Sequence, residues 1–117
     1  MSARPLVAWA RGVTVEAGSV LIPEGRPGRE FFVVKDGEAT CSIRGLTRAR
    51  FEPGDFFGEM ALLDGGPRTA TVTADTTMEL MVFGATEFRS MLENSVGVRQ
   101  RLLIEMARRL RQADATA

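Results

Sequence analysis

Histidine is absent from this chain of 117 residues, and cysteine occurs once. Without histidine there is no Ser-His-Asp triad, no Cys-His pair, no His-ligated zinc and no two-His-carboxylate iron site. The lone Cys41 cannot close an intrachain disulfide, and a reducing compartment fits that usage. It falls between Thr40 and Ser42 in an extended run, where it reads as a small packing residue. Lysine is nearly missing too: Lys35 is the single lysine among 15 basic residues, which 15 acidic residues balance. A net charge of zero offers no bulk attraction to nucleic acid or to anionic lipid. No apolar run approaches a membrane span, and the opening Met1-Ser2-Ala3-Arg4-Pro5 is not a signal peptide. The expected location is cytoplasmic, with no direct nucleic-acid or membrane contact by this domain.

The glycines divide the chain. Ten of 12 fall before residue 67, and only Gly97 follows Gly84. A first part punctuated every few residues and a last part that runs on predict a β-rich body followed by helices. The apolar stretch 6–10 is short, one or two helical turns, with Trp9 as a packing residue. Extended segments are expected at 13–16, 20–22, 30–35, 38–43, 46–51, 56–58, 68–74 and 77–83. Turn signals separate them, including Asp36-Gly37, Arg44-Gly45 and Glu52-Pro53-Gly54-Asp55. Eight short antiparallel strands at this spacing predict a small barrel or jelly roll, which hides its edges by closure.

The period changes after residue 84. Thr86 is placed to cap a helix carrying Phe88, Met91 and Leu92 on one face, and Ser95 to cap the next. Val98, Leu102, Leu103, Met106 and Leu110 are expected to form the apolar stripe of the last helix. Arg101, Glu105 and Arg109 stand at ion-pair spacing on it. The tail from Asp114 is expected to fray. The whole reads as one domain over 1–117, with strands at about 13–83 and helices at about 86–112.

One segment concentrates the chemistry: Phe57-Gly58-Glu59-Met60-Ala61-Leu62-Leu63-Asp64-Gly65-Gly66-Pro67-Arg68-Thr69-Ala70-Thr71-Val72. Glu59 opens a short helical turn, and Arg68 follows a Gly-Gly-Pro loop at the head of a strand. A carboxylate accepts hydrogen bonds from hydroxyls, and a planar guanidinium offers paired donors to a phosphate. The two could grip one small ligand, or they could be an ordinary surface ion pair. Phe56 and Phe57 read as core rather than ligand wall.

This segment resembles the phosphate-binding motif of cyclic nucleotide-binding domains. So does the upstream pattern Glu24-Gly25-x-x-Gly28-x-x-Phe31-Phe32-Val33-Val34 with Asp36-Gly37, and likewise Pro53-Gly54-Asp55-x-Phe57-Gly58-Glu59. The likeness covers about residues 13–112. It implies an eight-stranded antiparallel β-roll, a short phosphate-binding helix and two C-terminal helices. It also implies that Arg68 binds the exocyclic phosphate, and that Glu59, with the Gly58 carbonyl beside it, binds the ribose 2′-hydroxyl. Thr69 and Ala70 would serve phosphate oxygens, while Met60 and Ala61 lie in the helix whose N-terminal amides face the same region. Arg109, otherwise a residue of a solvated helix face, would stack on the base.

The implied function is a ligand sensor, not an enzyme, with no cofactor beyond the nucleotide itself. Cyclic AMP is the expected ligand. Cyclic GMP is the alternative, because a threonine in the place of Thr69 can reach a guanine amino group. The other class of reading is a β-roll interaction module that holds a partner rather than a nucleotide. A cupin-type enzyme on a related roll is disfavoured by the missing histidines. Only about ten residues precede the first strand, where the family usually has helices, so a minimal or trimmed sensor is expected. Its effector domain or partner protein would lie outside this chain.

Overall fold

A computed structural model describes residues 11–26, 28–64 and 66–116. The expected apolar stretch 6–10, with Trp9, lies outside them. Eight strands form: β1 (Arg11–Val15), β2 (Val20–Ile22), β3 (Glu30–Asp36), β4 (Ala39–Ile43), β5 (Leu46–Phe51), β6 (Phe56–Phe57), β7 (Thr71–Ala74) and β8 (Met78–Gly84). Three helices accompany them: α1 (Glu59–Asp64), α2 (Ala85–Asn94) and α3 (Val96–Thr116). By internal contacts the chain divides into two compact units, Met1–Glu87 and Phe88–Ala117.

In the first unit the strands pair antiparallel into two four-stranded sheets, ordered β1-β8-β3-β6 and β2-β7-β4-β5. This is the expected roll, and its core comes from one inward face of each sheet. Phe32, Val34, Phe57, Met78, Leu80 and Val82 of the first sheet meet Ile22, Ala39, Phe51, Val72 and Ala74 of the second. Phe57 joins the layers. It stacks on Phe32 of the adjacent strand at 5.0 Å and on Phe51 of the facing sheet at 4.9 Å. A second group, Phe31, Phe56 and Phe83, is also buried, with Phe31 in contact with both of the others. Both Phe56 and Phe57 are therefore buried packing residues.

The turns are tied by side chains whose types were legible. Asp55 Oδ2 accepts the Glu52 amide at 2.8 Å, closing the turn that leads into β6. Thr76 Oγ1 accepts the Glu38 amide, and Thr40 donates to Asp75 Oδ2, binding the β7–β8 turn to the β3–β4 hairpin. The Val34 amide donates to the Asp55 carbonyl and the Gly54 amide to the Val34 carbonyl, each at 2.9 Å, which sets β6, and with it the start of the central segment, in register on β3 (Phe32 opposite Phe57).

Several boundaries differ from expectation. The first strand starts at Arg11, and the strand expected from residue 68 starts only at Thr71. Arg68 is instead held by the loop at 25–26, described below. Strand β8 runs straight into α2, so Thr86 stands inside the first turn rather than at its cap. Ser95 does cap α3: its Oγ accepts the Val98 amide at 3.2 Å. Helix α3 continues to Thr116, past the expected fraying point, because no glycine or proline follows Gly97 to end it. Its burial is phased differently too. Leu102 is buried and Val98 and Met106 are half-buried, whereas Leu103 and Leu110 are each 66% exposed. At 100° per residue, Val98, Leu102, Met106 and Arg109 share one face, and Val96, Leu103 and Leu110 another.

Candidate functional site

The central segment begins where β6 leaves the sheet. Gly58 has φ of +94°, a left-handed conformation that strains any residue with a Cβ. A Cβ here would also stand 2.7 Å from the Glu30 carbonyl oxygen. The turn sends the chain directly into α1, a six-residue helix lying against β3, with Glu59 in its first turn. Glu59 is 1% exposed, which is rare for a carboxylate and needs a compensating environment.

That environment includes Arg68, which is 8% exposed. The Arg68 backbone is clamped by the glycine loop before β3. Its amide donates to the Arg26 carbonyl at 2.8 Å, and its carbonyl accepts the Gly25 amide at 2.8 Å. The two halves of the motif, separated by some forty residues in sequence, thus meet as a short antiparallel pair. The guanidinium is aimed as firmly. One terminal nitrogen donates to the Gly58 carbonyl at 2.7 Å and the other to the Glu30 carbonyl at 2.7 Å. Among the described residues, two of its five N–H groups are used in this way, and the others are candidates for an anion. The head group lies over Gly28, where any Cβ would collide with its Nε and Cζ.

Burial lowers the Arg68 pKa by penalising the charged form, while the negative charges of Glu30 and Glu59 work in the opposite direction. A folded-state pKa below the unfolded value means the unfolded chain binds this proton more tightly. Stability from this group therefore rises with pH, but only in the strongly alkaline range where a guanidinium titrates. Around neutrality the positive charge is constant. A fixed cation, a buried carboxylate and a glycine-made slot form a site suited to a small anion bearing hydroxyl groups.

The other expected residues are distributed as follows. Met60 and Ala61 fall in α1 beside Glu59. Thr69 is exposed and Ala70 half-buried, between Arg68 and β7. Arg109 belongs to the second unit, where its Nε pairs with Glu105 at 3.6 Å while Arg108 holds the other Glu105 oxygen at 3.2 Å. The structure thus brings Gly58, Glu59 and Arg68 together and gives Arg109 an ion pair on its own helix. Two participants were missed as site residues, Gly28 and Glu30. Gly28 already stood in the quoted upstream pattern, and its fixed distance from Phe31-Phe32 was the signal available. Glu30 acts through its backbone carbonyl, which no side-chain pattern discloses.

A hollow of about 200 Å³ lined by Gly12, Val13, Thr14, Lys35, Glu79 and Leu80 shares no residue with this site. Among the described residues, no helix is long and apolar enough to cross a membrane.

A cyclic nucleotide-gated potassium channel of Mesorhizobium japonicum is 42% identical over 91 residues, covering 77% of this chain and 25% of the channel. The chain spans a quarter or less of the length of the curated relatives it matches first. Among solved structures, the catabolite activator protein of Thermus thermophilus superposes with a TM-score of 0.85 at 28% identity, over 95% of this chain and 55% of that one. The regulatory domain of Toxoplasma gondii PKA, solved with cAMP, gives a TM-score of 0.65 at 38% identity, over 70% of this chain and 33% of that one. Residues 12–95 match the family model of the cyclic nucleotide-binding domain, and with the roll, the glycine turn and the buried Glu59 and Arg68 in place, the chain belongs to that family.

Proposed function

We propose that this cyclic nucleotide-binding domain is a cAMP sensor in which Arg68 takes the cyclic phosphate and Glu59 the ribose 2′-hydroxyl. The observation that carries this reading is the pair of buried opposite charges held within one glycine-bounded segment. A cyclic phosphodiester has one charge and two free oxygens, matching the N–H groups that Arg68 has left. The amides of Met60, Ala61, Thr69 and Ala70 and the Thr69 hydroxyl are proposed as the further donors to the phosphate oxygens. A buried carboxylate prefers a ligand that brings a hydroxyl, since a deoxy analogue leaves it without that bond. Arg109 is proposed as a base-stacking residue once it leaves Glu105.

The choice of cAMP rests on the relatives, which include a cAMP-dependent kinase regulatory subunit and a regulatory domain solved with cAMP. Cyclic GMP is kept as the second reading because Thr69 is exposed next to Arg68, where its hydroxyl is accessible to a ligand. By analogy with the whole relatives, the sensor acts in the cytoplasm on an effector domain or partner protein outside this chain, binding drives no chemical conversion, and the residues form one functional domain. The nucleotide shifts the final helix, α3, between states only by its differential affinity for them.

Competition between cAMP and cGMP, repeated with Thr69→Ala, tests the assignment. The expected result is tighter cAMP binding in the native chain and a similar preference in the variant. A variant that selectively loses cGMP, in a chain that prefers cGMP to begin with, reverses the choice.

A further inference from the structure

Glu30 meets two arginines through different groups. Its backbone carbonyl receives a hydrogen bond from the guanidinium at 2.7 Å, which fixes Glu30 beside the proposed phosphate position. Its side chain is held elsewhere: Oε2 pairs with a terminal nitrogen of Arg11 at 2.9 Å. The clamp reaches across a strand. Arg11 opens β1 opposite Val82, Glu30 opens β3 opposite Gly84, and β8 runs between them. β1 contributes no other residue to the site and lies on the far side of β8 from it.

We propose that Arg11 is a positioning residue for nucleotide binding: by holding the Glu30 carboxylate, it keeps that carboxylate from competing with the ligand phosphate for Arg68. The chemistry of the competition is direct. A carboxylate and a phosphodiester present the same paired oxygens to a guanidinium. A carboxylate on the same residue as a carbonyl already bonded to Arg68 has a high effective concentration there. Glu30 is the acidic neighbour that most strongly favours the charged form of Arg68, so its field reaches the guanidinium even in the clamped position. Released from Arg11, the side chain is free to turn toward Arg68, the less solvated cation. Every such excursion occupies donors that the phosphate needs. The inference rests on the nucleotide reading given above and adds a residue outside the family motif to it.

The size of the effect follows from exposure. The Arg11 and Glu30 side chains are 66% and 41% exposed, so water screens the pair and salt weakens it further. Replacing Arg11 by glutamine is expected to weaken cAMP binding about 2- to 5-fold, the equivalent of one partly exposed ion pair.

The test is a calorimetric titration of cAMP into the native chain, Arg11→Gln, Arg11→Lys, Glu30→Gln and the Arg11→Gln/Glu30→Gln double variant, each at low and moderate salt. Thermal melting of every variant checks that it is folded. Arg11→Gln should weaken binding, with the larger loss at low salt, and Arg11→Lys should recover most of it. Glu30→Gln should bind at least as tightly as the native chain, and the double variant should match Glu30→Gln. A double variant as weak as Arg11→Gln, or an Arg11→Gln variant with native affinity, overturns the proposal while leaving the nucleotide reading standing. A native chain that binds neither cAMP nor cGMP overturns both.

Discussion

Arg68 is useful to a ligand because the protein has already fixed where it points. A free arginine side chain loses up to about 2 kcal/mol of rotamer entropy on ordering, and here the Gly58 and Glu30 carbonyls impose that order in advance. Gly28 supplies the space. Gly28→Ala should push the guanidinium off both carbonyls, weakening cAMP binding by about 1.5–3 kcal/mol, the scale of a hydrogen bond to a charged group. Titration calorimetry on a variant shown to be folded checks this, and an unchanged affinity would mean that the slot is not needed. Glu59 has its own signature. Native chain should bind cAMP more tightly than its 2′-deoxy analogue by about 1–3 kcal/mol, and Glu59→Ala should erase that difference. If the variant still discriminates, the hydroxyl is read by another group.

Among the elements, the short β6 strand matters beyond its two residues. It carries Phe57, whose ring stacks against both sheets, and it ends at the Gly58 turn that launches α1. Core and site are therefore coupled in adjacent positions. Phe57→Ala should cost about 3–5 kcal/mol of stability, measured by chemical denaturation, because the cavity lies where three rings meet. A loss below about 1 kcal/mol would show that the layers are held together elsewhere. The strands and the capping Ser95 were readable from alternation and turn chemistry, which are local. The start of β7 was not. Arg68 looked like the head of a strand, but its backbone groups are taken by residues 25 and 26, a partner set by the tertiary fold. Nor was the phase of α3 legible. Leu103 and Leu110 are as apolar as Leu102, and which stripe turns inward is decided by packing rather than by composition.

For the whole molecule, the missing histidines exclude His-dependent sites, and the eight-stranded roll agrees with the cyclic nucleotide-binding domain family to which the chain belongs. The side chains of the candidate site, Glu59 and Arg68, were legible because each is an unusual residue at a fixed distance from glycines. The carbonyls that aim Arg68 were not, since every residue carries one. A domain built this way should respond to its nucleotide by mass action. At about 100 times its dissociation constant, cAMP should add about 2.7 kcal/mol to unfolding stability, visible as a rise in melting temperature.

The central claim, that Arg68 anchors a cyclic phosphate in this pocket, is tested most directly by titrating cAMP into the native chain and into Arg68→Ala. The account predicts saturable binding by the native chain and a loss of about 2–4 kcal/mol in the folded variant, the scale for truncating one partner of a buried charge pair. Equal affinity in the two proteins would contradict it.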